Sequence, residues 1–175
     1  MEFSIRPACL QDAALLPVIE KSAAQLFKTE SGLEWLADSD TLSESILICL
    51  ISLGTVWIAQ TEAGQVIGFI CTEEFEEELH IWELSVHADF QRKGIGKRLM
   101  QAACNHALDH NLSALTLTTF SDVSWNAPWY AQLGFQIVST SAEQRLRQLL
   151  DAEVTHGLPA SRRVAMRLSV AAATK

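Results

Sequence analysis

The stretch Glu83-Leu84-Ser85-Val86-His87-Ala88-Asp89-Phe90-Gln91-Arg92-Lys93-Gly94-Ile95-Gly96-Lys97-Arg98-Leu99 decides how this chain folds. It opens as an apolar strand, passes through a glycine-bearing turn and continues as an amphipathic helix. Such a turn leaves several backbone N–H groups free at the helix start, and the helix dipole adds positive potential there. Together they form a seat for a phosphate or pyrophosphate. Gly94 and Gly96 lack a Cβ, so an anion can approach the backbone closely. Arg92, Lys93, Lys97 and Arg98 concentrate positive charge in a chain of formal net charge −8.

Three readings of the turn compete. A P-loop requires G-x-x-x-x-G-K-[S/T]. Gln91 stands where its first glycine belongs, and Arg98 follows Lys97, so no hydroxyl is placed for magnesium. A dinucleotide fingerprint requires G-x-G-x-x-G near a first strand. Here Leu99 occupies the third glycine position and the motif lies in mid-chain. The third reading is an ordinary strand-to-helix turn whose glycines serve geometry alone.

The flanks add a resemblance. Residues 83–99 resemble the acetyl-CoA signature of the GNAT N-acetyltransferase superfamily, roughly L-x-V-x-P-x-x-Q/R-x-x-G-x-G/A. Downstream, Trp125-Asn126-Ala127-Pro128-Trp129-Tyr130-Ala131-Gln132-Leu133-Gly134-Phe135 resembles the family's second signature, loosely N-x-x-A-x-x-x-Y-x-x-L-G-F. Two signatures in the right order are more specific than either alone. The resemblance covers residues 83–135. Three positions depart from it. Ala88 replaces a frequent proline, Arg92 stands where glycine is common, and Asn126 lies closer to Tyr130 than in the family pattern.

Composition frames the rest. A chain of 175 residues with 49% hydrophobic content is expected to form one domain, residues 1–175. The longest apolar run, Ile46 to Leu53, is too short to span a bilayer. Met1-Glu2-Phe3-Ser4 lacks a basic, apolar leader, so a cytoplasmic location is expected. Cys9, Cys49, Cys71 and Cys104 are scattered without C-x-x-C spacing and read as reduced thiols. No Cys–His ligand spacing supports a structural metal, and no metal is expected. The acidic balance argues against nucleic acid as a partner. A homodimer is compatible with the sequence.

Periodicity predicts alternating elements. Strands are expected at Phe3–Arg6, Thr55–Thr61, Val66–Glu73, Leu79–His87, Leu112–Phe120, Phe135–Val138 and Arg163–Val170. Helices are expected at Leu10–Phe27, Ser43–Leu53, Gly94–His110, Asn126–Leu133 and Ala142–Val154, with Pro17 either early in the first helix or breaking it. Hairpins followed by a β–α–β unit imply an α/β fold of α+β type, a mixed sheet with helices on both faces. The GNAT resemblance implies the same layout, mostly antiparallel.

That resemblance also implies a chemistry: transfer of an acetyl group from acetyl-CoA to a primary amine by direct attack in a ternary complex. The backbone from Gln91 through Arg92, Lys93, Gly94, Ile95, Gly96 and Lys97 is expected to seat the cofactor phosphates. The strand carrying Leu84 and Val86 is expected to hold the pantetheine arm like an added strand. The N–H near Val86 would polarise the thioester carbonyl. Tyr130, the only tyrosine, is the expected general acid, with a supporting packing role as the alternative. Asn126 would hold pantetheine or the tyrosine hydroxyl, or else cap its helix. Trp125 and Trp129 read as packing residues.

A protonated amine must lose a proton before it attacks, and Glu83 is the expected base, with a buried structural carboxylate as the alternative. Strand alternation places Ile81, Glu83, Ser85 and His87 on one face. Glu73, Glu74 and His80 are the runners-up. The acidic run Glu73, Glu74, Glu76, Glu77, Glu78 either attracts a cationic amine or is a solvated loop. The acceptor is a small-molecule or protein amine, and the variable segments Phe27–Leu53 and Ala142–Leu158 are expected to select it. A non-catalytic acyl-CoA sensor is the alternative from a different class.

Overall fold

The computed structural model describes residues 2–141 and 143–170. Among these residues seven strands form one sheet in the order β1-β2-β3-β4-β5-β7-β6. The strands are β1 (Phe3–Pro7), β2 (Val56–Thr61), β3 (Val66–Phe75), β4 (Glu78–Val86), β5 (Ala114–Phe120), β6 (Gln136–Ile137) and β7 (Arg163–Ser169). The helices are α1 (Leu16–Ala24), α2 (Glu44–Ser52), α3 (Ile95–Asp109), α4 (Ala127–Gln132) and α5 (Gln144–Thr155). Only β4 and β5 pair in parallel, and the other strand pairs are antiparallel.

Helices cover both faces of the sheet, as expected. On one face α3 lays Ile95, Leu99, Met100, Ala103 and Ala107 against Ile67, Ile70, Leu79, Ile81, Leu115 and Leu117. Each fully buried Ile or Leu of this kind contributes about 1.5–3 kcal/mol. On the other face α1 and α2 bury Leu16, Ile19, Leu47 and Leu50 against Ile58, Phe69 and Cys71.

The first expected helix, Leu10–Phe27, is in fact three pieces. A short 3₁₀ turn, Leu10–Asp12, precedes α1, and a second, Gln25–Thr29, follows it. The Asp12 carboxylate accepts from the backbone N–H of Cys9 at 2.8 Å and binds Arg6 at 2.7 Å, which fixes the early turn to β1. Pro17 sits in the first turn of α1, where its missing N–H costs nothing. Helix α2 starts where Ser43 Oγ accepts from Ile46 N–H. The hairpin between β3 and β4 is tighter than expected, with only Glu76 and Glu77 outside the strands and Glu76 at φ 50°. Ala142, the expected start of the last helix, lies outside the described residues.

The feature that opens a site is in β4. Its register with β3 runs Thr72↔Ile81 and then Cys71↔Glu83, so Trp82 is an extra residue in a β-bulge. The bulge shifts the alternation. Ile81, Leu84 and Val86 pack on the α3 face, while Glu83 pairs with Cys71 on the α1 face. The expected sharing of one face by Ile81 and Glu83 is therefore wrong, because simple period-two counting skips no residue. Strand β4 pairs with β5 over only Glu78↔Ala114, Leu79↔Leu115 and His80↔Thr116. Beyond the bulge the two strands part, and the sheet opens between them.

Candidate active site

The gap between β4 and β5 leads into a cleft of about 900 Å³. Its walls include Glu83 to Val86 from β4, Leu117 to Phe120 from β5 and the turn before α3. Because the sheet is open here, side chains from both faces look into one space. Glu83 comes from the α1 face and Tyr130, on α4, from the α3 face.

In the turn expected to seat the phosphates, Gln91 to Lys97, the Gln91 N–H bonds Ala88 O at 3.4 Å. Gly94 is the N-cap of α3 at φ +81°. The backbone N–H groups from Arg92 through Lys97 have no acceptor among the described residues; the next one, that of Arg98, bonds Gly94 O at 3.2 Å. These free donors at a helix N-terminus are what an anion requires. The Gln91 side chain donates to Val86 O at 3.0 Å, tying the turn to the end of β4.

The four cations divide. Arg92 and Lys97 line the cleft. Lys93 Nζ instead folds back on Asp89 O at 3.0 Å, and Arg98 reaches Phe3 O at 3.1 Å and the Phe3 ring. Arg92 adopts φ 60°, which explains why glycine suits this position in the related signature.

Glu83 is half-buried, and its Oε1 accepts from Ser85 Oγ at 2.7 Å. Burial raises its carboxyl pKa above the ordinary value, against the hydrogen bonds from Ser85 and the Leu84 N–H. The Tyr130 hydroxyl has no hydrogen-bond partner among the described residues, and the ring packs edge-on to Phe135 at 5.6 Å. Burial raises the phenol pKa and the charge of Glu83 adds to it, with Arg163 acting in the opposite sense. Asn126 holds the N-cap position of α4 but makes no side-chain cap. Its Oδ1 accepts from Thr119 Oγ1 at 2.8 Å, which pins α4 to β5. Trp129 does pack, its ring 3.5 Å from where a Cβ would stand on Gly96, and it also lines the cleft.

The runner-up bases already have partners, although His80 also lines the cleft. His80 Nδ1 bonds Thr116 Oγ1 at 3.0 Å, and burial, with Arg145 adding, lowers its pKa to about 3. Glu73 accepts from Trp82 Nε1 at 2.8 Å. Glu74 lies on the α3 face, bonded to His106 and His110. Glu78 pairs with Arg145 and Arg167. None of the five acidic residues of the β3–β4 hairpin lines the cleft. Cys71 sits beside Glu83 in the register, yet burial and the neighbouring carboxylates push its thiol up to about 12, which rules it out as a thiolate nucleophile at neutral pH.

Sequence reasoning missed Glu20. It reaches the cleft from α1 and accepts the Leu42 N–H at 3.1 Å through Oε2. Burial, with the charge of Glu83 adding, lifts its pKa to about 8. Lys21 Nζ donates to Ser39 O at 3.0 Å and Gln25 Nε2 to Ala37 O at 3.1 Å, so one helix face straps residues 37–42 along the cleft wall. Glu153 and Arg163, paired at 2.9 Å, were also missed; Glu153 accepts from Thr118 Oγ1 as well. No motif marks any of these residues.

Residues 52–137 match the family model described as an acetyltransferase (GNAT) domain. Over that span the chain is similar to the GNAT superfamily. Mycothiol acetyltransferase of Propionibacterium freudenreichii subsp. shermanii is 30% identical to this chain over 87 residues, which span 47% of the chain and 28% of that protein. In fold, the PaiA N-acetyltransferase of Thermoplasma acidophilum, solved with coenzyme A, superposes with a TM-score of 0.71. It shares 18% identity, over 97% of this chain and 99% of that one. The ribosomal-protein-S18-alanine N-acetyltransferase of Escherichia coli gives a TM-score of 0.69 at 15% identity, over 99% and 97% of the two chains. No helix among the described residues is long and apolar enough to cross a membrane.

Proposed function

We propose that this chain is a single N-acetyltransferase domain, residues 1–175, that moves an acetyl group from acetyl-CoA to a primary amine by direct attack in a ternary complex. One observation carries the reading. The open β4–β5 gap has a row of free backbone donors at one end, and Glu83 and Tyr130 line the same cleft. The residues fit the cofactor. The N–H groups of Arg92 to Lys97, with the side chains of Arg92 and Lys97, would hold its phosphates. The splayed edge of β4 at Leu84 and Val86 offers main-chain groups to the pantetheine amides. Asn126 lines the same cleft, and its Nδ2 has no partner among the described residues.

Glu83 would take the proton from the ammonium, directly or through water, and its raised pKa makes it a better base than an ordinary carboxylate. The freed amine attacks the thioester carbonyl carbon, and a β4 N–H stabilises the oxyanion. As the C–S bond breaks, the Tyr130 hydroxyl protonates the leaving thiolate, and the proton shed by the attacking nitrogen restores the phenol. The phenol's raised pKa keeps it protonated and ready to donate.

Leu26, Phe27, Leu36, Asp40 and Leu158 line the remaining wall, which supports the assignment of acceptor choice to the segments around 27–53 and 143–158. The acceptor is a small-molecule or protein amine. The free cysteines suit a reducing, cytoplasmic compartment. The test is release of coenzyme A thiol from acetyl-CoA with and without a panel of amines and N-terminal peptides. Amine-dependent release supports the enzyme, and tight binding without turnover on any acceptor supports the sensor instead.

A further inference from the structure

Three candidate ligand atoms meet far from the cleft. His106 and His110 lie one turn apart near the C-terminal end of α3, so their side chains share a face. Glu74 reaches the same place from β3. His106 Nε2 lies 2.7 Å and His110 Nδ1 2.8 Å from the one oxygen, Glu74 Oε1. All three ligand atoms lie within 4.8 Å of one another. The imidazole rings are 3.9 Å apart, tilted by 33°.

We propose that Glu74, His106 and His110 form a binding site for a borderline divalent transition metal ion of the zinc type. Two imidazole nitrogens and a carboxylate oxygen are the donor set such ions prefer, whereas magnesium and calcium favour oxygen alone. Metal–ligand distances of about 2.0–2.2 Å in a tetrahedron separate ligand atoms by about 3.3 Å. Each histidine therefore needs to withdraw from Glu74 Oε1 by only about half an ångström. The convergence is already set, and the ion would replace the hydrogen bonds.

Two further observations favour a built site. His106 is nearly enclosed, its side chain 12% exposed, and Trp57 packs edge-on against it at 5.1 Å, which fixes the ring. Glu74 and His110 are 37% and 49% exposed, so an ion can enter and water can complete its coordination. Ten residues separate His106 from Gly96, about 15 Å along the helix. The ion would clip the far end of α3 to β3 and hold the helix whose other end forms the anion seat. It would take no part at the reacting atoms.

Calorimetric titration of the tag-free, chelator-treated chain with zinc chloride tests this. The expected result is saturable binding of one ion per chain and no response to magnesium chloride. Glu74→Gln and His110→Ala should each weaken binding by about tenfold or more, since even an outer-shell partner costs about 10–100-fold. His156→Ala, at the C-cap of α5, should leave it unchanged. Copper(II), a fluorescence quencher, should remove the share that Trp57 contributes to the emission of the five tryptophans in wild type but not in His106→Ala. Because His110 is exposed, its variant should retain the wild-type circular dichroism. Zinc binding that survives all three ligand substitutions, or no saturation at all, overturns the site.

Discussion

Glu20 on α1 and Glu83 on β4 bring two carboxyl groups into one cleft, and the charge of Glu83 adds to burial in raising the Glu20 pKa from 4.5 to about 8. Between those values the folded chain holds a proton that the unfolded chain has released. The stabilisation from that proton is complete below about pH 4.5 and is lost as pH rises toward about 8. The melting temperature of the wild type should therefore fall across this window, and Glu20→Gln should flatten the slope. A carboxamide oxygen can still accept from the Leu42 N–H. A net effect of about 1 kcal/mol corresponds to about 2–4 °C at this chain length. Parallel melting curves for the two proteins, measured by circular dichroism from acid to alkaline pH, would count against the buried pair.

Tyr130→Phe removes one oxygen that has no partner among the described residues, so folding and coenzyme A affinity should be unchanged. Loss of a general acid lowers turnover by about 10²–10⁴-fold. Amine-dependent thiol release should fall by about that much at saturating acetyl-CoA. A variant with wild-type turnover assigns Tyr130 to packing against Phe135.

The base can be separated from its neighbours by its pH signature. Glu83→Gln should lower kcat/KM by about 10²–10⁴-fold. In the wild type the acid limb of the pH profile should lie above the ordinary carboxylate range, because burial raises the Glu83 pKa. Ser85 opposes that rise through its 2.7 Å hydrogen bond. Ser85→Ala should therefore move the acid limb to still higher pH while turnover at the alkaline plateau persists. An acid limb that stays in place in Ser85→Ala assigns the titration to another group, with Glu20 the next to test.

The turn before α3 was legible because its geometry lies in consecutive residues. Gly94, Gly96 and the flanking strand and helix periods specify both the turn and its free N–H groups. The second signature likewise put Tyr130 on a short helix. What escaped was carried by long-range geometry. Counting by two along β4 put Ile81 and Glu83 on one face, because a bulge at Trp82 leaves no mark in composition. Glu20 sits in a plain amphipathic helix, 63 positions before Glu83 in the sequence, and only the packing of α1 on the sheet brings it to the cleft. The hairpin acids failed in the opposite direction. Their density suggested a common role, but Glu73, Glu74 and Glu78 each have separate partners on different faces. His106 and His110 were readable as an i, i+4 pair, but Glu74 joins them only through the register of β3 against α3.

Two glycines should separate the demands of the fold from those of the seat. A Cβ on Gly68 would stand 3.0 Å from Ser85 O, 3.2 Å from Ile95 Cγ2 and 3.3 Å from Val86 Cγ2. Gly68 pairs with Val86, so this crowding falls where β3, β4 and the first residue of α3 meet. Backbone cannot yield as a flexible side chain does, and overpacking of this kind costs about 1–3 kcal/mol. Gly68→Ala should lower the melting temperature by about 2–4 °C for each kcal/mol. A Cβ on Gly96 would instead meet the Trp129 ring at 3.5 Å, an ordinary contact, inside a helix that favours alanine by up to about 1 kcal/mol. Gly96→Ala should hold or raise the melting temperature and still weaken coenzyme A binding, because its methyl group stands beside the free N–H groups. Calorimetric affinity read beside thermal melts distinguishes the two. If Gly96→Ala binds coenzyme A as well as the wild type does, the close approach of phosphate to this turn is wrong.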